Sequence, residues 1–267
     1  MSHYFKKQIT IVLIFVLILA IIGAAVYFLT RPSGPTCSDG IKNQGEEDVD
    51  CGGPCKKCKE IEDLKVISKK FIPTTENNFD LVAVVGNPNI DWGARLASYV
   101  FELYDGASQL IGSVKGTTYF LPQETKYIVE QRFYSEKTIV EARLMLSDVS
   151  WEKLSQINDL ELKVKNTDYQ ILEDGSSEFI GVMENKSSYD LDKIEIVGIL
   201  FDNNGEIAAA GKTFLNTVMR NENREFSFFW PYPIAVQIKS FIAKTYTNVF
   251  LNDNFIKIHG EPKDFEE

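Results

Sequence analysis

The stretch from Cys37 to Cys58 concentrates the side chains that could bind a metal. Asp39, Asn43, Glu46, Glu47, Asp48 and Asp50 crowd into a short loop, and carboxylate and amide oxygens are what Ca²⁺ gathers at a coordination of about 6–8. Asp39, Asn43, Glu46 and Asp50 are the candidate calcium ligands. Their spacing is not that of an EF-hand, because Gly45 and Asp50 miss the places of its turn glycine and bidentate glutamate. The competing reading is a solvated acidic loop that disulfides hold compact.

The chain's 4 cysteines, Cys37, Cys51, Cys55 and Cys58, all border this loop. An even, clustered set in an oxidising compartment reads as two disulfides, and the sequence leaves all three pairings open. Cys55-Lys56-Lys57-Cys58 also has the C-x-x-C spacing of a zinc hook, but structural zinc sites pair two such hooks and Cys37 stands alone. A redox role would call for a βαβ setting, which the surrounding sequence lacks.

Catalytic parts are scarce. The 2 histidines are His3 and His259, near the two ends of the chain, so a Ser-His-Asp or Cys-His site is not expected. Carboxylate pairs such as Glu161 with Asp168, or Asp190 with Asp192, are the residual material for a hydrolase. No glycine-rich loop opens a helix, so nucleotide binding has no support. The formal net charge of −10 argues against nucleic acid, whose phosphates demand a basic surface. Setting aside Lys6, Lys7 and Arg31, the rest of the chain carries about −13.

The elements that position these residues begin with an uncharged run, Ile9 to Leu29, behind Lys6 and Lys7. About twenty apolar residues suffice to cross a ~30 Å hydrocarbon layer, and the lysines ahead of the run place the N-terminus in the cytoplasm. The expectation is a single-pass anchor over residues 9–29 in a cell membrane, with the bulk of the chain extracytoplasmic. A cleaved signal peptide, with small residues at Gly23-Ala24-Ala25, is the rival, although the apolar run exceeds the usual h-region. Arg31 to Thr36, with two prolines and a glycine, reads as a linker.

From Glu60 onward, short runs of Val, Ile, Phe and Tyr separated by Asn, Asp, Gly and Pro read as antiparallel strands. The order of features repeats. Leu81–Pro88, Tyr99–Gly106 and Leu110–Gly112 match Phe179–Lys186, Ile194–Asp202 and Gly205–Ala208; Lys126–Phe133 and Ala142–Trp151 then match Arg224–Trp230 and Ala243–Phe250. In the first copy Val100, Glu102 and Tyr104 face one way and Tyr99, Phe101 and Leu103 the other. In the second, Ile194 to Phe201 is apolar on both faces except at Glu195. The aromatic-Asp-x-x-Gly stretch reads as a hairpin turn. Phe226, Phe228, Phe229, Trp230 and Tyr232 are expected to fill the core, with Trp92 and Trp151 in a core or a junction. Asn185-Lys186-Ser187 matches a glycosylation sequon, yet a turn asparagine equivalent to Asn87 is the better reading.

Phe101-Glu102-Leu103-Tyr104-Asp105 resembles the signature of the FxLYD domain, a bacterial and archaeal β-sandwich module of immunoglobulin-like shape. The second copy departs from it, with Gly198 in place of the Phe, but keeps Gly181 and Asn185. The segment from Cys37 to Gly53, C-x-D-G-x-x-N-x-x-E-x-x-x-D-C-G-G, resembles a Cys-rich module of bacterial surface proteins. These resemblances imply an exported, non-catalytic setting. The expected layout is a cytoplasmic segment (1–8), a transmembrane helix (9–29), a linker and Cys-rich acidic module (30–59) and two tandem immunoglobulin-like β-sandwiches (60–152 and 153–267, the second with a polar tail). The expected role is adhesion, envelope organisation or protein–protein interaction with an envelope or surface protein or glycan. The alternatives are an accessory or sensor subunit of an envelope complex and a membrane-tethered hydrolase.

Overall fold

A computed structural model describes residues 3–30, 37–58, 60–154 and 160–259. The Arg31–Thr36 linker, half of the junction expected at Ser150 to Asp159 (residues 155–159), the C-terminal tail and the side chains of His3, Lys6, Lys7 and His259 lie outside the described residues. Two compact units result, Met1–Glu60 and Ile61–Glu267.

In the first unit, helix α1 spans His3–Thr30. Among the described residues, no helix is long and apolar enough to cross a membrane. The expectations of a transmembrane helix at 9–29, of the membrane as a partner, of single-pass topology with a cytoplasmic N-terminus, and of a membrane-anchored display or hydrolase function are corrected accordingly.

The second unit is β-rich. Its strands are β1 Lys65–Pro73, β2 Asn78–Gly86, β3 Trp92–Tyr104, β4 Leu110–Phe120, β5 Thr125–Tyr134, β6 Glu141–Lys153, β7 Leu162–Ile171, β8 Ser177–Asn185, β9 Leu191–Asp202, β10 Ile207–Val218, β11 Asn223–Trp230 and β12 Ile238–Tyr246. A 3₁₀ turn, Val249–Leu251, and a short helix α2, Asp253–His259, follow. All pairings between strands are antiparallel. The sheet orders are β1-β2-β5 and β4-β3-β6, then β7-β8-β11 and β10-β9-β12. The second set repeats the first strand for strand.

Each pair of sheets closes on its own core. Leu81, Ala83 and Val85 of β2 meet Tyr99, Phe101 and Leu103 of β3 in the first copy. Phe179 and Met183 of β8 meet Ile194, Ile196 and Leu200 of β9 in the second. Gly198 stands where the first copy has Phe101, and the Phe228 ring occupies the space: a Cβ added there would lie 2.6 Å from it. In the hairpin turns, Asp105 Oδ1 accepts the Ala107 and Gln109 N–H, and Asp202 Oδ1 accepts those of Asn204 and Glu206. The left-handed position is taken by Gly205 in the second copy (φ 79°) and by Ser108, not Gly106, in the first (φ 58°).

A third buried cluster joins the copies. Ile72, Val82 and Val129 of the β1-β2-β5 sheet pack on Val197, Ile199, Ala210 and Tyr246 of the β10-β9-β12 sheet. Two inner sheets are therefore covered on both faces, which is why β9 is apolar on both sides. Where β9 offers Ile199 to this seam, the equivalent position of β3 is Glu102, which hydrogen-bonds Tyr104 on the uncovered face. Phe250, from the 3₁₀ turn, packs against Gly93 of the first copy, where an added Cβ would approach its ring to 2.5 Å.

Candidate functional site

The seam between the copies holds a partly open cavity of about 380 Å³, within the size range of small-molecule sites. Tyr99, Tyr119, Lys126 and Tyr127 line it from the first copy, and Glu195, Lys212 and Phe214 from the second. Lys126 is its most unusual wall residue, because lysine is almost never fully buried unless paired and this one is 1% exposed. β5 carries it into the seam, and its Nζ lies 3.4 Å from the Tyr119 ring centroid and 4.9 Å from that of Tyr246. Ring faces attract such a cation. Glu195 Oε2, across the seam on β9, is 3.4 Å away.

Burial pushes the Lys126 ammonium below its usual basicity, and the Glu195 and Glu124 carboxylates act against that shift. Burial pushes the Glu124 carboxyl up, opposed by Lys126 and by the Leu121 N–H, which donates to Glu124 Oε2 at 2.9 Å. Burial likewise raises the Tyr119 and Tyr246 phenols. The Tyr246 hydroxyl accepts the backbone N–H of Tyr127 at 3.1 Å, tying the copies together. Lys212 pairs with Glu130 at 3.3 Å, again across the seam. The arrangement offers a cation, hydroxyls and aromatic walls to a small polar ligand.

These residues were not among the sequence candidates. The one visible signal was Glu195, a lone charge in an otherwise apolar strand. Lys126 gave no comparable signal, since a lysine at the start of a strand usually faces water.

The predicted metal loop is drawn together by hydrogen bonds. Asp50 accepts the N–H groups of Asp39 and Gly40, and Glu46 Oε2 accepts those of Asn43 and Asp50 at 3.2 Å. Asp39 accepts the Ile41 N–H and the Asn43 side-chain amide. Glu46 is buried, and Asn43 Oδ1 is buried without a hydrogen-bond partner. Cys37 pairs with Cys55 and Cys51 with Cys58. Cys37, Glu46 and Cys55 cluster closely enough to hold an ion, but the disulfide removes the thiolates that ligation needs.

Phe226, Phe228 and Trp230 are buried in the second core, while Phe229 is exposed. Tyr232 is half-buried and donates to the buried Asp80 at 3.4 Å. Trp151 packs on the first core. Asn185 is fully buried, its amide donating to the carbonyls of Tyr189, Val218 and Met219, and it therefore offers no surface to a glycosyl donor. Asn87 plays the same part, donating to the Trp92 and Leu121 carbonyls.

No family model matches the chain, and no curated protein does. Among solved structures, red sea bream transglutaminase is similar at 13% identity and a TM-score of 0.24 over 70% of this chain; the chain spans 29% of that protein. The N-terminal CBM22-1–CBM22-2 tandem domain of Xyn10C from Paenibacillus barcinonensis is similar at 8% identity and a TM-score of 0.13, over 72% of this chain and 87% of that one.

Proposed function

We propose that this chain is a non-catalytic binding protein of an oxidising compartment, built on two FxLYD-like sandwiches, whose recognition element is the cleft between them. The observation that carries this reading is the seam cavity, walled by both copies and containing a buried cation. A pocket walled mainly by strands of packed layers binds with little ordering of loops, which spares the entropy that flexible sites lose. The Phe101-Leu103-Tyr104-Asp105 signature supports the sandwich type, and the paired cysteines support the compartment.

Chemical-shift mapping of the full-length protein with a set of small fragments of mixed charge tests it. Shifts are expected to converge on Tyr99, Tyr119, Lys126 and Phe214. Hits confined to the outer sheet β7-β8-β11 and to Glu102 and Tyr104 on the uncovered face of β3 would overturn it.

Calcium binding by the acidic loop is a separate proposal. It is favoured by one observation, the buried and unbonded Asn43 Oδ1 among neighbouring carboxylates.

A further inference from the structure

Lys126 has an unmet demand. An ammonium carries three donors, yet its Nζ is buried without a partner in hydrogen-bonding geometry, Glu195 Oε2 standing off at 3.4 Å. Tyr119 and Tyr246 present ring faces, which attract charge but leave the donors unused. A buried ammonium in this state is costly, and an acceptor that enters from the cavity and displaces the side chains covering Nζ would relieve it.

A second cation borders the same space. Lys193 Nζ lies 4.1 Å from the Phe214 ring centroid, and among the described residues it forms no ion pair. Lys212, in contrast, is committed to Glu130. Tyr127, Ile128, Val129 and Phe214 line the same cavity, and their side chains suit an apolar body.

Resting on the cleft reading above, we infer that the cavity takes a small organic monocarboxylate. Its carboxylate accepts from Lys126 Nζ and its apolar part lies along Tyr127 and Phe214. Charge-assisted hydrogen bonds of this kind are roughly twice as strong as neutral ones. Asp192 and Glu195 on the same lining limit the ligand to one compact anionic group, because a polyanion would meet both.

The test is a titration of the full-length protein, followed by NMR, with benzoate, its neutral isostere benzamide, and methyl phosphate. Benzoate is expected to saturate, to shift Lys126 and Tyr119, and to bind about tenfold more tightly than benzamide. Lys126→Met is expected to weaken benzoate about tenfold and to weaken benzamide clearly less, so that the preference for benzoate is lost. Glu195→Gln removes the competing carboxylate, and bound benzoate then takes over its part in holding the charge on Lys126, so the variant is expected to tighten benzoate, and it decides the matter should Lys126→Met not fold. Equal binding of benzamide and benzoate in the cleft, tighter binding of methyl phosphate, or a Glu195→Gln variant with unchanged or weaker benzoate affinity would overturn the carboxylate assignment and leave the cleft as the site. Failure of all three compounds to reach the cleft would overturn both.

Discussion

Lys126 on β5 of the first sandwich lies 3.4 Å from Glu195 on β9 of the second, and this ion pair spans the seam that makes one body of the two copies. Removing one member of such a pair strands the other charge, which typically costs about 3–5 kcal/mol. Glu195 keeps 20% of its side chain exposed, so Lys126→Ala or Glu195→Ala is expected near the low end, about 3 kcal/mol. The double variant Lys126→Met with Glu195→Leu is expected to recover most of the loss. Urea unfolding of the four proteins checks this, and additive losses would contradict it.

The same seam sets a pH dependence. Burial holds the folded-state pKa of Lys126 below 10.5. Between that depressed value and 10.5 the unfolded chain holds the proton and the folded chain does not, so stability rises with pH through this window. Tyr119 and Tyr246, raised from 10.0, act oppositely: above that value the unfolded phenols ionise first and stability falls. Glu124, raised from 4.5, makes stability fall as pH rises from that value through its folded-state pKa. Lys126→Met is expected to flatten the alkaline rise in urea midpoints; parallel profiles for both proteins would refute the assignment.

Ile199 is fully buried in the seam, where the first copy has Glu102 on an uncovered face. Ile199→Glu would bury an unpaired carboxylate and is expected to destabilise by about 3 kcal/mol or more. Hydrogen exchange should locate the damage, with amides of β5, β9 and β10 losing protection before those of β3. Uniform loss across all strands would count against a separable seam.

Asn185 satisfies three carbonyls with one buried amide, and its Oδ1 accepts the Ser187 N–H. Asn185→Ala leaves those groups unbonded and is expected to cost about 2–3 kcal/mol. Expressed in a host that glycosylates sequons, the wild-type folded protein is expected to carry no glycan at Asn185. An intact-mass increase matching one glycan would refute this.

Asn43 Oδ1 supplies the test of calcium. Calcium titration is expected to raise the melting temperature of the full-length protein, and Asn43→Ala to abolish the increase while Asn87→Ala does not. Identical melting curves with calcium and with chelator would remove the proposal.

Much of the fold was legible along the chain, because strands write their two faces into alternate residues. Tyr99, Phe101 and Leu103 pointed to one core, and the matched positions of Asn87 and Asn185 exposed the repeat. Gly198 was legible only as a departure from the motif; its reason, the Phe228 ring, arrives from another strand. The anchor expected at 9–29 was read from an uncharged apolar run behind Lys6 and Lys7, and among the described residues no helix is long and apolar enough to bear it out.

By itself, then, the sequence determined the strands, the repeat, the acidic loop and the fact that β9 had to be covered on both sides. It could not say what covers β9, since apolarity is non-directional and names no partner. Tertiary structure decided that the β1-β2-β5 sheet covers it, which cysteines pair, and that Lys126 meets Glu195 and the two tyrosines. Those relations depend on side chains far apart in the chain arriving at one point, and that arrival is set by sheet packing rather than by any local pattern of residues.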